Sequence, residues 1–195
     1  MPARLEALRI GIFGGSFDPV HLGHVAAVSA AQQQLALDLV LVVPAGVQPF
    51  KLDAGASPEH RLAMLRLAFE DVPYTEIDSC EIERGGLSYT VDTVEEVRNR
   101  FPSHQLCLLV GADTARELPK WHRFDDLRRM VRIVVLSRPG TESPEGDLEF
   151  VAIPDVPTSA TEIREALGQG RANPDVIPER VLHYMREHGL YGLKE

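Results

Sequence analysis

Residues 8–24, LRIGIFGGSFDPVHLGH, carry the clearest local indication of the fold. The apolar run Leu8–Phe13 is typical of a short buried strand, and Gly14-Gly15 ends it in a turn. A helix is predicted next, from His24 to Leu35. Neither common phosphate loop is present, because the chain lacks both G-x-G-x-x-G and G-K-[ST]. This segment can still bind an anion, since glycines let backbone N–H groups approach a phosphate and a helix N-terminus favours negative charge.

Strands and helices alternate along the rest of the chain. Short apolar runs predict further strands at residues 39–43, 75–82, 105–110, 131–136 and 148–153. Helices are predicted at residues 92–101, 127–130, 160–167 and 178–188, and after the N-cap Ser57 with Leu62, Leu65 and Phe69 on one stripe. This alternation predicts a single α/β domain, a Rossmann-like, doubly wound parallel sheet with helices on both faces. Ligands of such sheets bind beyond the carboxyl ends of the strands.

Composition narrows the class of protein. The 195 residues include 20 basic and 29 acidic side chains, for a net charge of -9, which disfavours sequence-independent nucleic-acid binding. The longest apolar run, residues 35–45, contains Asp38 and Pro44 and is about half the roughly 20 residues that span a membrane. The N-terminus lacks the apolar stretch of a signal peptide. Cys80 and Cys107 form no CxxC motif, and Cys107 is expected to be a buried, inert thiol. Together these features indicate a reducing cytoplasm.

Two histidines stand at the start of the first helix. His21 and His24 flank Gly23, so their side chains face one way and can donate hydrogen bonds to phosphate oxygens. Histidines at this spacing could instead ligate a metal, but no third and fourth ligand is apparent in the sequence. They could also be incidental surface residues. The eleven-residue string Gly14–His24 disfavours both alternatives.

This string resembles the (H/T)-x-G-H signature of the nucleotidylyltransferase superfamily. With Phe17-Asp18-Pro19 before His21, it resembles the bacterial nicotinate-nucleotide adenylyltransferases in particular. Other segments carry the same resemblance along nearly the whole chain. They are the S-Y-T-x-D-T segment within residues 84–93, the G-x-D…L-x-x-W segment at 111–121, the S-S-T-x-I-R motif at 159–164, and the C-terminal residues 184–191.

The resemblance implies adenylyl transfer from ATP to nicotinate mononucleotide, with release of a dinucleotide and pyrophosphate. It implies catalytic roles for His21, His24 and Arg164. It assigns ATP binding to Gly14, Gly15, Ser16, Phe17, His24, Gly111, Asp113, Ser159, Thr161 and Arg164. It assigns acceptor binding to Lys51, Thr90 and Trp121. Mg²⁺ is expected to arrive with ATP, held by its phosphates and water, so no dedicated protein metal site is predicted.

The sequence departs from the family pattern at two places. The family often shows P-P-H-K after the second strand, where this chain has Gln48-Pro49-Phe50-Lys51. Phe50 cannot donate a hydrogen bond, so a histidine's role does not transfer to it. In the late motif Ala160 replaces a second serine, while Ser159 and Thr161 remain.

Several of these residues have a second interpretation. Ser159 to Glu162 has the pattern of a capping box, which a plain helix start would also show. Asp113 can accept ribose hydroxyls, cap a helix at residues 114–118, or do both. Trp121, the only tryptophan, fits either the core or a loop that presents its ring.

Two basic residues follow strands. Lys51 is either solvated or close enough to reach a phosphate, and Arg138 adds positive charge to the same rim.

Three other functions are alternatives for this sequence. A pantetheine-phosphate adenylyltransferase usually carries Thr where this chain has His21, and it lacks the Trp121 segment. A dual enzyme would accept both nicotinate and nicotinamide mononucleotides. A non-catalytic nucleotide-binding module would not need both histidines and Arg164. The sequence leaves open whether the protein is a homo-oligomer.

Overall fold

The computed structural model describes residues 7–46, 55–138, 148–171 and 174–193. The strands in those ranges are β1 (Arg9–Gly15), β2 (Leu39–Pro44), β3 (Thr75–Ile77), β4 (Gln105–Gly111), β5 (Arg132–Ser137) and β6 (Glu149–Ala152). The α-helices are α1 (Leu22–Leu35), α2 (Pro58–Phe69), α3 (Cys80–Arg84), α4 (Thr90–Arg100), α5 (Ala112–Ala115), α6 (Phe124–Met130), α7 (Ala160–Gly168) and α8 (Glu179–Glu187). Short 3-10 turns cover Leu118–Lys120, Pro174–Val176 and Leu190–Gly192. No helix in the described ranges is long and apolar enough to cross a membrane.

The strands form one parallel sheet in the order β3-β2-β1-β4-β5-β6. The chain winds outward from β1 to β3, returns to pair β4 with β1, and then winds outward in the other direction. The predicted doubly wound, Rossmann-like sheet is therefore confirmed. Its topological switch point lies between β1 and β4, where such folds leave a crevice at the carboxyl ends of the strands.

Both faces of the sheet are buried. Along β2, Val40 and Val42 join a core beneath α1, α2, α7 and α8, while Leu41 and Val43 join a second core beneath α4 and α6. Such two-sided burial explains why the strands are continuous apolar runs rather than alternating patterns. Cys107 is buried within β4 as predicted, and burial raises the pKa of its thiol to about 11.

Two local predictions are wrong. The predicted strand at residues 75–82 ends at Ile77, because the Asp78 carboxylate accepts a hydrogen bond from the Cys80 N–H at 3.1 Å and turns the chain into α3. In α2 the buried stripe is Arg61, Met64, Leu65 and Phe69, and Leu62 is only partly buried. Helix spacing alone did not indicate that an arginine would face inward.

Candidate active site

A large cleft opens at the carboxyl ends of the strands, lined by described residues. Its volume is about 980 Å³, at the upper end of the range usual for small-molecule sites. Gly14 and Gly15 at the end of β1 line it, together with Gly111 at the end of β4 and Arg138 just after β5. The cleft therefore lies beyond the carboxyl ends of the strands, where the sequence predicted the ligand to bind, and the strand order places it at the switch point.

The cleft brings together almost all of the predicted site residues. Those that line it are His21, His24, Arg164, Gly14, Gly15, Ser16, Phe17, Gly111, Asp113, Ser159, Thr161, Thr90, Trp121 and Arg138. Lys51 and the adjoining residues 48–50 lie outside the described residues.

The two histidines form a stacked pair. Their ring centroids are 3.7 Å apart, and the His21 backbone N–H donates to His24 Nδ1 at 3.2 Å. An accepting Nδ1 places the proton of neutral His24 on Nε2. Burial, the neighbouring His21 and Arg138 hold the pKa of His24 well below its usual value, and burial and Arg138 lower the pKa of His21 to about 4. Near pH 7 in the absence of ligand, both rings are neutral and His24 is an Nε2–H donor.

The low pKa of His21 predicts acid-sensitive stability. Its unfolded pKa is near 6.5 and its folded pKa near 4, so the unfolded state binds more protons between these values and stability falls as pH drops through this window. At pH 5 the loss from His21 is expected to be about 2 kcal/mol of unfolding free energy. Urea unfolding of wild type and His21→Gln at pH 7 and pH 5 measures it, with exposed His183→Gln as the control. Equal pH sensitivity in all three proteins would contradict the expectation.

Glycine and phenylalanine residues shape this end of the cleft. A Cβ on Gly23 would lie 3.0 Å from the His21 ring, and one on Gly15 would lie 3.0 Å from the Phe17 ring. Phe17 is buried, and its ring packs edge-on against His24 at 5.0 Å between centroids. Gly15 therefore makes room for Phe17, and Phe17 supports the His24 ring.

The start of α7 presents Arg164. Ser159 caps the helix by accepting the Glu162 N–H at 3.2 Å, which confirms the predicted helix start. The Glu162 carboxylate accepts from the Ser159 hydroxyl at 3.0 Å instead of reaching back to the N-cap N–H. Arg164 donates to the Asp18 carbonyl at 2.5 Å and to Thr161 Oγ1 at 3.3 Å. These contacts hold a partly exposed guanidinium at the edge of the cleft.

The interpretation of Asp113 as a helix N-cap is wrong. Helix α5 begins at Ala112, directly after β4, with Gly111 at the N-cap position. Asp113 therefore lies in the first helical turn, exposed at the cleft. Its carboxylate remains available to a ligand.

Helix α4 and the loop that carries Trp121 also line the cleft. Helix α4 begins at Thr90 without a side-chain cap on its N-terminal N–H groups. Trp121 packs partly on the second core and also lines the cleft, so both of its predicted interpretations hold. The Tyr89 and His122 rings lie 4.4 Å apart, and Arg123 donates to Glu95 at 2.7 Å. These contacts fasten the Trp121 loop to α4.

Arg61 and Asp18 are buried charged residues of the site whose roles the sequence pattern does not indicate. Arg61 donates to the carbonyls of Ser16 and Ala45, both at 2.8 Å, and so ties together the chain segments that leave β1 and β2. Asp18 was recognised only as part of the Gly14–His24 string, although it is 3% exposed and accepts hydrogen bonds from distant segments. Neither role has a local signal, because the partners are remote in sequence.

In the part of the chain that the structure describes, no group of three or more His, Cys, Asp or Glu side chains is placed to hold a metal ion. The arrival of Mg²⁺ with ATP stays a prediction.

A family model described as cytidylyltransferase-like matches residues 12–166. A probable nicotinate-nucleotide adenylyltransferase of Gemmatimonas aurantiaca is 45% identical, over 94% of this chain and 92% of the relative. Another from Thermus thermophilus is 42% identical, over 94% of this chain and the whole relative. The chain belongs to the nicotinate-nucleotide adenylyltransferase family.

Solved structures share the fold. The nicotinic acid mononucleotide adenylyltransferase of Plasmodium falciparum, complexed with NaAD, superposes with a TM-score of 0.81 at 17% identity. The alignment covers 96% of this chain and 98% of that chain. A second structure of that protein, complexed with APC, has a TM-score of 0.77 at 16% identity and covers the same shares of both chains.

Proposed function

We propose that this protein transfers the adenylyl group of ATP to the phosphate of nicotinate mononucleotide, releasing nicotinate adenine dinucleotide and pyrophosphate. One observation carries the proposal. The stacked His21–His24 pair, Arg164, Thr90 and Trp121 all line one cleft at the carboxyl ends of the strands. The names of the relatives at 45% and 42% identity support the same substrate.

The chemistry needs little from the protein beyond position and charge. The acceptor is a phosphate monoester that is already largely ionised near pH 7, since its second pKa is about 6. It can attack the α-phosphorus without a general base or a covalent enzyme intermediate. His24 Nε2–H and Arg164 would stabilise the negative charge that develops on the transferring phosphoryl group. Mg²⁺ would enter as part of the substrate, MgATP.

The alternative acceptors can be separated in one assay. Pyrophosphate release from ATP would be measured with nicotinate mononucleotide, nicotinamide mononucleotide, pantetheine phosphate and no acceptor. Release is expected to be fastest with nicotinate mononucleotide. Faster release with pantetheine phosphate would overturn the proposal, and an absence of release with every acceptor would indicate a binding module. Trp121 in the cleft favours a pyridine acceptor, because an electron-poor ring stacks well on indole.

Asp113→Ala is expected to raise the KM for ATP about tenfold with a smaller effect on kcat. A hydrogen bond from a ribose hydroxyl to this carboxylate would be equally strong in the ground and transition states. Because Asp113 is not the cap of α5, the melting temperature should stay close to that of wild type. Asp125→Ala, on an exposed turn of α6, is the matched control. An unchanged KM for ATP would remove Asp113 from the ATP site.

A further inference from the structure

The carboxylate of Asp18 joins segments that are far apart in the chain. Oδ2 accepts from the Gly55 N–H at 2.6 Å, and Oδ1 accepts from the Ala56 N–H at 3.0 Å and from the Tyr191 hydroxyl at 2.5 Å. The Asp18 side chain is 5% exposed. A buried carboxylate is stable only when such donors surround it, so the loss of one donor must be compensated by another.

Among the described residues, Arg164 is the cation that lies within 4 Å of the Asp18 carboxylate and could compensate. One of its guanidinium nitrogens, Nη1, lies 3.9 Å from Asp18 Oδ2, which is too far for a strong hydrogen bond. The same nitrogen donates to the Asp18 carbonyl oxygen at 2.5 Å. The arginine is thus held beside the carboxylate without closing onto it.

The C-terminal turn places Tyr191 firmly against this cluster. Its backbone is in the left-handed region, with φ of 54°, between Gly189 and Gly192. A Cβ on Gly55 would lie 2.8 Å from the Tyr191 ring and 3.2 Å from Arg164 Cδ, so all three residues are closely packed. A left-handed, non-glycine residue persists only where its surroundings determine it. Burial and the Asp18 carboxylate raise the pKa of Tyr191, so its hydroxyl stays protonated and donates.

We propose that Tyr191 is a positioning residue for the phosphates of ATP. Its hydroxyl donates a hydrogen bond to the Asp18 carboxylate, so the carboxylate does not need Arg164 as a donor. The Arg164 guanidinium is then held toward the cleft by its hydrogen bonds to the Asp18 carbonyl and Thr161 Oγ1. Without the hydroxyl, Arg164 closes onto the carboxylate as an ion pair and withdraws from the phosphates. The inference rests on the proposed function, because it assumes that Arg164 binds the phosphates of ATP.

Tyr191→Phe tests this, since it removes the hydroxyl and keeps the ring. It is expected to lower kcat/KM for ATP roughly tenfold, the effect of one charge-assisted hydrogen bond, with the KM for the mononucleotide unchanged. Tyr184→Phe is the matched control. Tyr184 lies on α8, and its hydroxyl contacts His60 Nδ1 on α2 at 2.9 Å. Tyr184 is not among the residues that line the cleft. That variant is expected to stay within about twofold of wild type. Equal kcat/KM values in the two variants would overturn the inference.

A double substitution distinguishes positioning from general loss of structure. If Tyr191 acts through Arg164, Tyr191→Phe should have no further effect in an Arg164→Ala background. A second tenfold loss there would contradict the inference. The affinity for α,β-methylene-ATP, measured by calorimetry, gives a readout that needs no turnover. If wild type transfers no adenylyl group, the proposed function fails. The inference is then decided by whether Tyr191→Phe weakens binding of this analogue more than Tyr184→Phe does.

Discussion

Replacing His24 with alanine is expected to lower kcat by about 10²–10³-fold and to weaken ATP binding far less. The His24 ring is oriented before the substrate arrives: Nδ1 accepts the His21 N–H, the His21 ring stacks on the imidazole, and the Phe17 ring packs edge-on against it. Nε2–H is then the donor left for a ligand. A donor aimed at developing charge acts mainly in the transition state, so the loss should appear in kcat rather than in the KM for ATP.

Steady-state kinetics with both substrates varied would measure this, with thermal melts alongside. The substitution also removes a hydrogen bond at the start of α1, which should cost about 1 kcal/mol of stability. His24→Gln retains a donor near the position of Nε2 and should recover part of the rate, while exposed His183→Ala should behave as wild type. A His24→Ala enzyme within a few-fold of the wild-type kcat would show that His24 is not catalytic.

Nicotinate mononucleotide is expected to be preferred over nicotinamide mononucleotide by roughly 10- to 100-fold in kcat/KM. Helix α4 begins at Thr90 without a side-chain cap, so N–H groups of its first turn are candidate donors, and a helix N-terminus favours an anion. A carboxylate accepts at both oxygens. A carboxamide turns an NH₂ group toward one of these donors and leaves it unpaired, at a cost of about 1–3 kcal/mol.

Trp121→Ala serves as the internal control for this preference. Stacking on indole does not distinguish an acid from an amide, so the variant should bind both mononucleotides more weakly and keep most of their ratio. The kcat/KM values for both acceptors, in wild type and in the variant, provide the measurement. Equal values in the wild type would contradict the donor pocket and indicate a dual-specificity enzyme.

Sequence spacing was enough to predict the architecture. The apolar runs of β1, β2, β4 and β5, each covered on both faces, indicated a parallel sheet, and the fold then implied where a ligand binds. The Gly14–His24 string and the motif at residues 159–164 were each recognisable because all of their residues lie in one short, continuous segment. The N-cap at Ser159 was predicted for the same reason.

Local signals failed at two boundaries between elements. Asp78 accepts the Cys80 N–H, and this ended a strand that the residue pattern had extended to Ile82. Similarly, the helix at Asp113 begins one residue before it, because β4 leads directly into α5. In both cases the residue pattern of the segment does not determine where the strand ends or where the helix begins.

The α/β alternation, the helix cap at Ser159 and the residue types available for phosphate chemistry could be predicted from the sequence, because these depend on neighbours a few positions apart. Only the tertiary structure decided that Tyr191 donates to Asp18, that Arg61 lies inside, and that Arg164 approaches the loop after β1. It also decided that His21 and His24 are neutral near pH 7, since their pKa values depend on burial and on Arg138. Contacts and pKa shifts of this kind arise from the packing of the whole sheet and its helices, so they cannot be predicted from the spacing of residues along the chain.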